Sequence, residues 1–200
     1  MVIVVTGGIG SGKSEVCRIL KNMGYVHQYN ADFRAKALYE EHPTLLGDIE
    51  ESLGCTLRDE AGRFQPAALA SVIFSEAAAL EKVEAHLFPV LIDDFSSYAG
   101  TCGDGVVVFE SATVLEKPQF DGFGDKVILV DAPFEVRLVR ACRRDGADRD
   151  KVLARMHNQK LMNAFSEGYY DSRIDYKILN DGTMEELVVR TKEAINSLIS

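Results

Sequence analysis

Two hundred residues with a formal net charge of −9 and 46% hydrophobic side chains describe one domain of ordinary size with a proper core. The acidic balance argues against nucleic acid or a membrane surface as the main partner, so an anionic substrate must be captured by local arginines and lysines. Cys17, Cys55, Cys102 and Cys142 form no C-x-x-C pair; this points to reduced thiols rather than a disulfide or metal framework.

The first predicted element is a strand over 2–6. It starts too early to leave room for a signal peptide, and no apolar run approaches the ~20 residues of a membrane span. The chain is therefore expected in the cytoplasm. Directly after the strand, TGGIGSGKSE satisfies G-x-x-x-x-G-K-[ST] from Gly7 to Ser14. A loop that wraps a polyphosphate must aim successive backbone N–H groups inward, which Gly8, Gly10 and Gly12 permit. Ile9 and Ser11 complete its backbone. In such a loop Lys13 reaches the β- and γ-phosphates and the Ser14 hydroxyl binds Mg²⁺. Apolar residues at 16, 19, 20 and 23 have helical spacing, so the loop, Ser14 and Glu15 open a helix whose N-terminus also favours anions. Residues Gly8 to Glu15 are the predicted nucleotide-phosphate-binding segment.

A second strand is predicted over 25–29, followed by Asn30-Ala31-Asp32. An acid just beyond the carboxyl end of a strand lies where open α/β sheets bind ligands. Asp32 there either orients an attacking hydroxyl or caps a helix. Residues 31–104 read as a long helical insert, the candidate substrate-binding subdomain. Pro66 starts one helix in it, running to 74. Residues 76–95 form another, which Pro89 is expected to kink or split.

Near-continuous apolar strands follow at 106–109 and 126–130, as expected of parallel strands buried on both faces. Each runs into an acid, Glu110 and Asp131. Such a carboxylate holds the Mg²⁺ of many phosphate-loop enzymes. Glu110 is preferred, because its strand is expected beside the first; Asp131 is the alternative. Helices are predicted over 134–144, 148–161 and 183–198, with a strand over 176–179 before the last. Arg137, Arg140, Arg143, Arg144 and Arg149 crowd the first of these helices and the turn after it. Positions 137, 140 and 144 share a helical face suited to phosphate contacts, or to plain solvation. Thr183 and Glu186 make a capping box. Alternating strands and helices predict an α/β fold with a parallel sheet.

TGGIGSGKSEV, YNADFRAKAL, ESATVLE, VILVDAPFEVRLVRACRRDG, RMHNQK and IDYKILNDG together resemble the dephospho-CoA kinase family, in order and along nearly the whole chain. The resemblance implies five parallel strands ordered 2-3-1-4-5, a helical domain for the acceptor and a lid, here 143–172. It implies transfer of the γ-phosphate of ATP, with Mg²⁺, to the ribose 3′-hydroxyl of dephospho-CoA. It puts Asp32 on the acid that acts on that hydroxyl and Lys36 beside the acceptor. Arg140 and Arg144 fall on the helix and lid arginines, Gln159 on a lid glutamine, and Asn180 near the adenine. Asn30 stands where the family has a first acid, Lys36 where it has arginine, Glu110 where it has aspartate, and no His-Pro pair occurs. A related kinase with another acceptor, and a nucleotide-binding regulator without transfer chemistry, are the competing readings. Asp121 to Gly124 fits the D-x-x-G of a GTPase, but no Asn-Lys-x-Asp accompanies it.

Overall fold

The strand predicted at the start forms as expected: β1 (Val2–Thr6) lies at the centre of a five-stranded parallel sheet. The computed structural model describes residues 1–76 and 78–199. Among these, β2 (His27–Asn30), β3 (Val107–Glu110), β4 (Lys126–Asp131) and β5 (Tyr176–Leu179) join β1 in the order β2-β3-β1-β4-β5. Every pairing is parallel, so all five carboxyl ends share one edge. The order reverses at β1, the place where such sheets open a ligand crevice.

Period-2 alternation decides what each face buries. Ile3, Val5, Val108, Ile128, Val130 and Ile178 pack against Val16, Ile19 and Leu20 of α1 (Lys13–Asn22) and Leu187, Ala194 and Ile195 of α9 (Met184–Ile199). On the opposite face Tyr29 stacks on Phe109 at 5.5 Å, and Phe123 lies 4.6 Å from Phe109. Fully burying each such side chain contributes ~1.5–3 kcal/mol. No helix among the described residues is long and apolar enough to cross a membrane.

Backbone contacts divide the chain into two compact units: 1–30 with 104–200, and 31–103. The first holds the sheet, α1, α9 and three further helices, α6 (Phe134–Asp145), α7 (Arg149–His157) and α8 (Lys160–Ser166). The second is helical: α2 (Ala31–Glu41), α3 (Leu45–Leu53), α4 (Pro66–Ser75) and α5 (Ala79–Thr101). Within it Val83, Leu87, Leu91 and Phe95 make a buried stripe along α5, which packs on α2, α3 and α4.

Four expectations are corrected. Pro89 sits inside α5 without splitting it; the packed stripe on both sides outweighs the backbone hydrogen bond that proline removes. The predicted start at 76 moves to 79, and position 77 lies outside the described residues. The helix predicted over 148–161 is two helices with Asn158 and Gln159 between them, because Asn163 Nδ2 donates to the Met156 carbonyl and draws the chain back. The second strand starts at 27, not 25, since its register begins opposite Val107. The capping box closes as predicted, the Thr183 amide donating to Glu186 at 2.8 Å and the Glu186 amide to Thr183 Oγ1 at 3.2 Å.

Candidate phosphate-transfer site

The loop between β1 and α1 forms a tight turn, the Ser11 amide donating to the Gly8 carbonyl at 3.0 Å. Gly10 (φ 77°) and Gly12 (φ 95°) occupy left-handed backbone, which other residues adopt at a cost of about 1–2 kcal/mol. Gly12 then initiates α1 without a side-chain cap. The first amides of the helix are thus left for an external anion. Lys13 is largely buried, yet among the described residues its ammonium makes no hydrogen bond or ion pair. An ammonium in that position is prepared for an anionic partner.

Beside the helix start, Ser14 Oγ donates to Glu110 Oε1 at 2.5 Å. Register places Asn30 and Glu110 side by side across β2 and β3, and Asn30 Nδ2 donates to Glu110 Oε2 at 2.7 Å. Cys17 also bonds to this carboxylate; burial first, then Glu110, pushes its thiol well up, so it stays a neutral core group. No group of three or more His, Cys, Asp or Glu able to hold a metal occurs among the described residues. One hydroxyl and one buried carboxylate fit a hard divalent cation held chiefly by substrate phosphates and water. Asp131, the alternative acid, is engaged elsewhere: Lys177 Nζ pairs with it at 2.9 Å and Ser166 Oγ donates to it at 2.8 Å.

The carboxyl end of β5 closes the other side of the loop. Asn180 is buried, and its Nδ2 donates to the Ser11 carbonyl at 2.8 Å; Arg140 Nη1 donates to the Asn180 carbonyl at 2.9 Å. Gly12, Glu15, Arg140, Asn180, Thr183 and Leu187 are among the residues lining a cavity of about 200 Å³ there. The residues expected around ATP are therefore gathered at one edge of the sheet. Asn180 braces the loop directly, a role the resemblance did not suggest.

Other expected residues are placed differently. Arg144 is exposed and bonds to Asp145, with Nε–Oδ1 at 2.7 Å; Arg155 reaches the same carboxylate at 2.9 Å. Arg144 and then Arg155 hold the Asp145 carboxyl down at about 2. Gln159 lies buried at the α7–α8 joint and accepts from the Ile9 amide at 2.8 Å. Asp32 and Lys36 belong to the second unit, exposed in the first two turns of α2 and one turn apart. Asp32 is the second residue of that helix and so does not cap it, although a carboxylate there still complements the helix dipole. Arg137, read in the sequence as one of an open row, is completely buried. Its neighbours Asn163 and Ser166 were not singled out in the sequence; their polar spacing on one side of α8 was the only signal.

Fold and loop define a phosphate-loop kinase. The dephospho-CoA kinase (CoaE) family model matches residues 1–186, and the chain belongs to that family. A dephospho-CoA kinase of Porphyromonas gingivalis is 34% identical over 180 residues, covering 90% of this chain and 86% of the relative. The crystal structure of TT1252 from Thermus thermophilus superimposes with a TM-score of 0.84 at 27% identity, covering 100% of this chain and 98% of that one. The fold is shared as well by a dephospho-CoA kinase from Campylobacter jejuni, with a TM-score of 0.68 at 19% identity, over 98% and 96% of the two chains.

Proposed function

We propose that this chain phosphorylates the ribose 3′-hydroxyl of dephospho-CoA with ATP, giving CoA and ADP. The observation that carries the reading is the phosphate loop itself: a glycine-built turn, a helix N-terminus without a side-chain cap, and a buried Lys13 whose ammonium has no ion-pair partner among the described residues. Residues Gly8 to Glu15 cradle the nucleotide phosphates, and Lys13 neutralises the β- and γ-groups. Arg140 and Asn180 line the nucleotide cavity. Mg²⁺ is the metal proposed, with Ser14 and Glu110 as its protein-side groups; when bound it withdraws charge from the phosphate oxygens.

Residues 31–104 are the proposed acceptor-substrate subdomain, of which 31–103 form the compact helical unit. Lys36 carries positive charge for the acceptor, and Asp32 orients its hydroxyl and takes the proton as the phosphoryl group leaves ATP. Residues 143–172 are the proposed lid, bringing Arg144 to the transferring group, where charge spreads over the equatorial oxygens. A soluble cytoplasmic setting, without nucleic acid or membrane partner, agrees with the acidic composition.

The test is product identity. Enzyme, Mg²⁺-ATP and dephospho-CoA are incubated, and the position of the new phosphate is read by phosphorus and proton NMR. A 3′-phosphate is the expected product. A phosphate at another position, or ATP hydrolysis without transfer, contradicts the proposal.

A further inference from the structure

Arg137 is the largest fully buried side chain, at 0% exposure. Only one of its guanidinium nitrogens has a partner: Nη2 donates to Asn163 Oδ1 at 3.0 Å and to Ser166 Oγ at 3.4 Å. Nε and Nη1 are buried and bond to no described residue. The Phe134 ring lies 5.5 Å from Cζ, a favourable contact but not a counter-ion. The acid acting on it, Asp131, is also the ion-pair partner of Lys177 at 2.9 Å. Two cations thus share one carboxylate, leaving a positive excess under the phosphate loop.

Contact with the loop is close. A side chain at Gly8 would run into Nη1, and one at Gly10 into the Arg137 carbonyl. Gly8 is not among the positive-φ glycines; what crowds a side chain there is the guanidinium end of Arg137, with Met162 beside it. Burial lowers the guanidinium's proton affinity, opposed by Asp131. An incompletely paired buried ion is destabilising in the empty protein, and removing its charge is often neutral or stabilising. Such a group becomes favourable once negative charge arrives next to it.

We propose that Arg137 is a positioning residue for the nucleotide: a buried charge behind Gly8 that is under-compensated until the phosphates of ATP occupy the loop, and that is held against the loop by its bonds to Asn163 and Ser166 of α8. It acts through the loop backbone and the field of its charge, not by touching the phosphates. This deepens the kinase reading and rests on it.

The experiment compares wild type, Arg137→Gln and Arg137→Lys by thermal unfolding with and without Mg²⁺-ATP, by ATP titration without dephospho-CoA, and by steady-state kinetics. Arg137→Gln should melt no lower than wild type when empty, bind ATP about tenfold more weakly, ~1.4 kcal/mol, and show a smaller ATP-induced rise in Tm. Its KM for ATP should rise while that for dephospho-CoA stays constant. Arg137→Lys, keeping the charge, should recover most of the ATP-induced shift. An empty Arg137→Gln protein that fails to fold, or melts well below wild type with an undiminished ATP shift, makes Arg137 a structural member of the α6–α8 contact and overturns the proposal. Wild type that does not respond to ATP at all refutes the kinase reading instead.

Discussion

Lys13 is the side chain on which donor binding turns, because its buried ammonium makes no hydrogen bond or ion pair among the described residues. Lys13→Ala should leave the unfolding free energy of the empty protein within roughly 0.5 kcal/mol, while phosphoryl transfer collapses. Turnover near wild type in a folded Lys13→Ala protein, measured by coupled ADP assay, would remove the loop from the mechanism. Asp32 separates structure from chemistry equally well. As a first-turn residue of α2 it offers about 0.3–1 kcal/mol to the helix dipole, whereas a group that takes the hydroxyl proton is worth roughly 10²–10⁴-fold in rate. Asp32→Asn should melt close to wild type and lose kcat by that factor; equal activity would leave Asp32 only its dipole role. The loop was legible in the sequence because its chemistry is local: glycine spacing, Lys13 and Ser14 are contiguous. Arg137 was misread because helical spacing reports which residues share a face but not which face is buried.

Helices α6 to α8 are where an element-scale prediction belongs. Arg144 and Arg155 both hold Asp145, a local tie that the proposed closure must exchange for phosphate. Hydrogen exchange should therefore show 143–172 gaining protection with Mg²⁺-ATP more than β1 or β3, whose amides are already shielded. Arg144→Ala should lower kcat far more than ATP affinity. Unchanged exchange together with unchanged kcat would return these arginines to a solvated surface. The same tie carries a pH dependence. Asp145 titrates near about 2 when folded, below its usual ~3.9, so its stabilisation is present above the usual value and fades as pH falls toward 2. Exchange in α7 should rise over that interval in wild type and be insensitive to it in Asp145→Asn; parallel curves would show the tie is not coupled to α7. Element boundaries in this region escaped the sequence for a physical reason. The break at Asn158 and Gln159 is made by the long-range bond of Gln159 to Ile9 and by the side-chain bond of Asn163 back to Met156, neither of which helical periodicity records.

At the scale of the whole molecule, an acidic chain concentrates incompletely paired positive charge at one edge of a parallel sheet, in Lys13 and beneath the loop in Arg137. The alternation of strands and helices pointed to a parallel sheet, and the family resemblance alone implied its order, which the structure has. The helical unit was visible as an insert with two of its helices, but its interior pairings were not: Arg34 forked on Asp94 at 3.0 and 2.7 Å and Tyr39 stacked on Phe64 at 4.7 Å join residues far apart in the chain. That unit also bears the departures on the proposed acceptor side, Lys36 and the missing His-Pro pair, with Asn30 immediately before it. The decisive measurement is acceptor-dependent ADP release with Mg²⁺-ATP, comparing dephospho-CoA with nucleoside monophosphates and small alcohols. Dephospho-CoA should stimulate ADP release far beyond every other acceptor, with one CoA formed per ADP and none in Lys13→Ala. Release that is indifferent to dephospho-CoA, or stronger with another acceptor, would contradict the assignment.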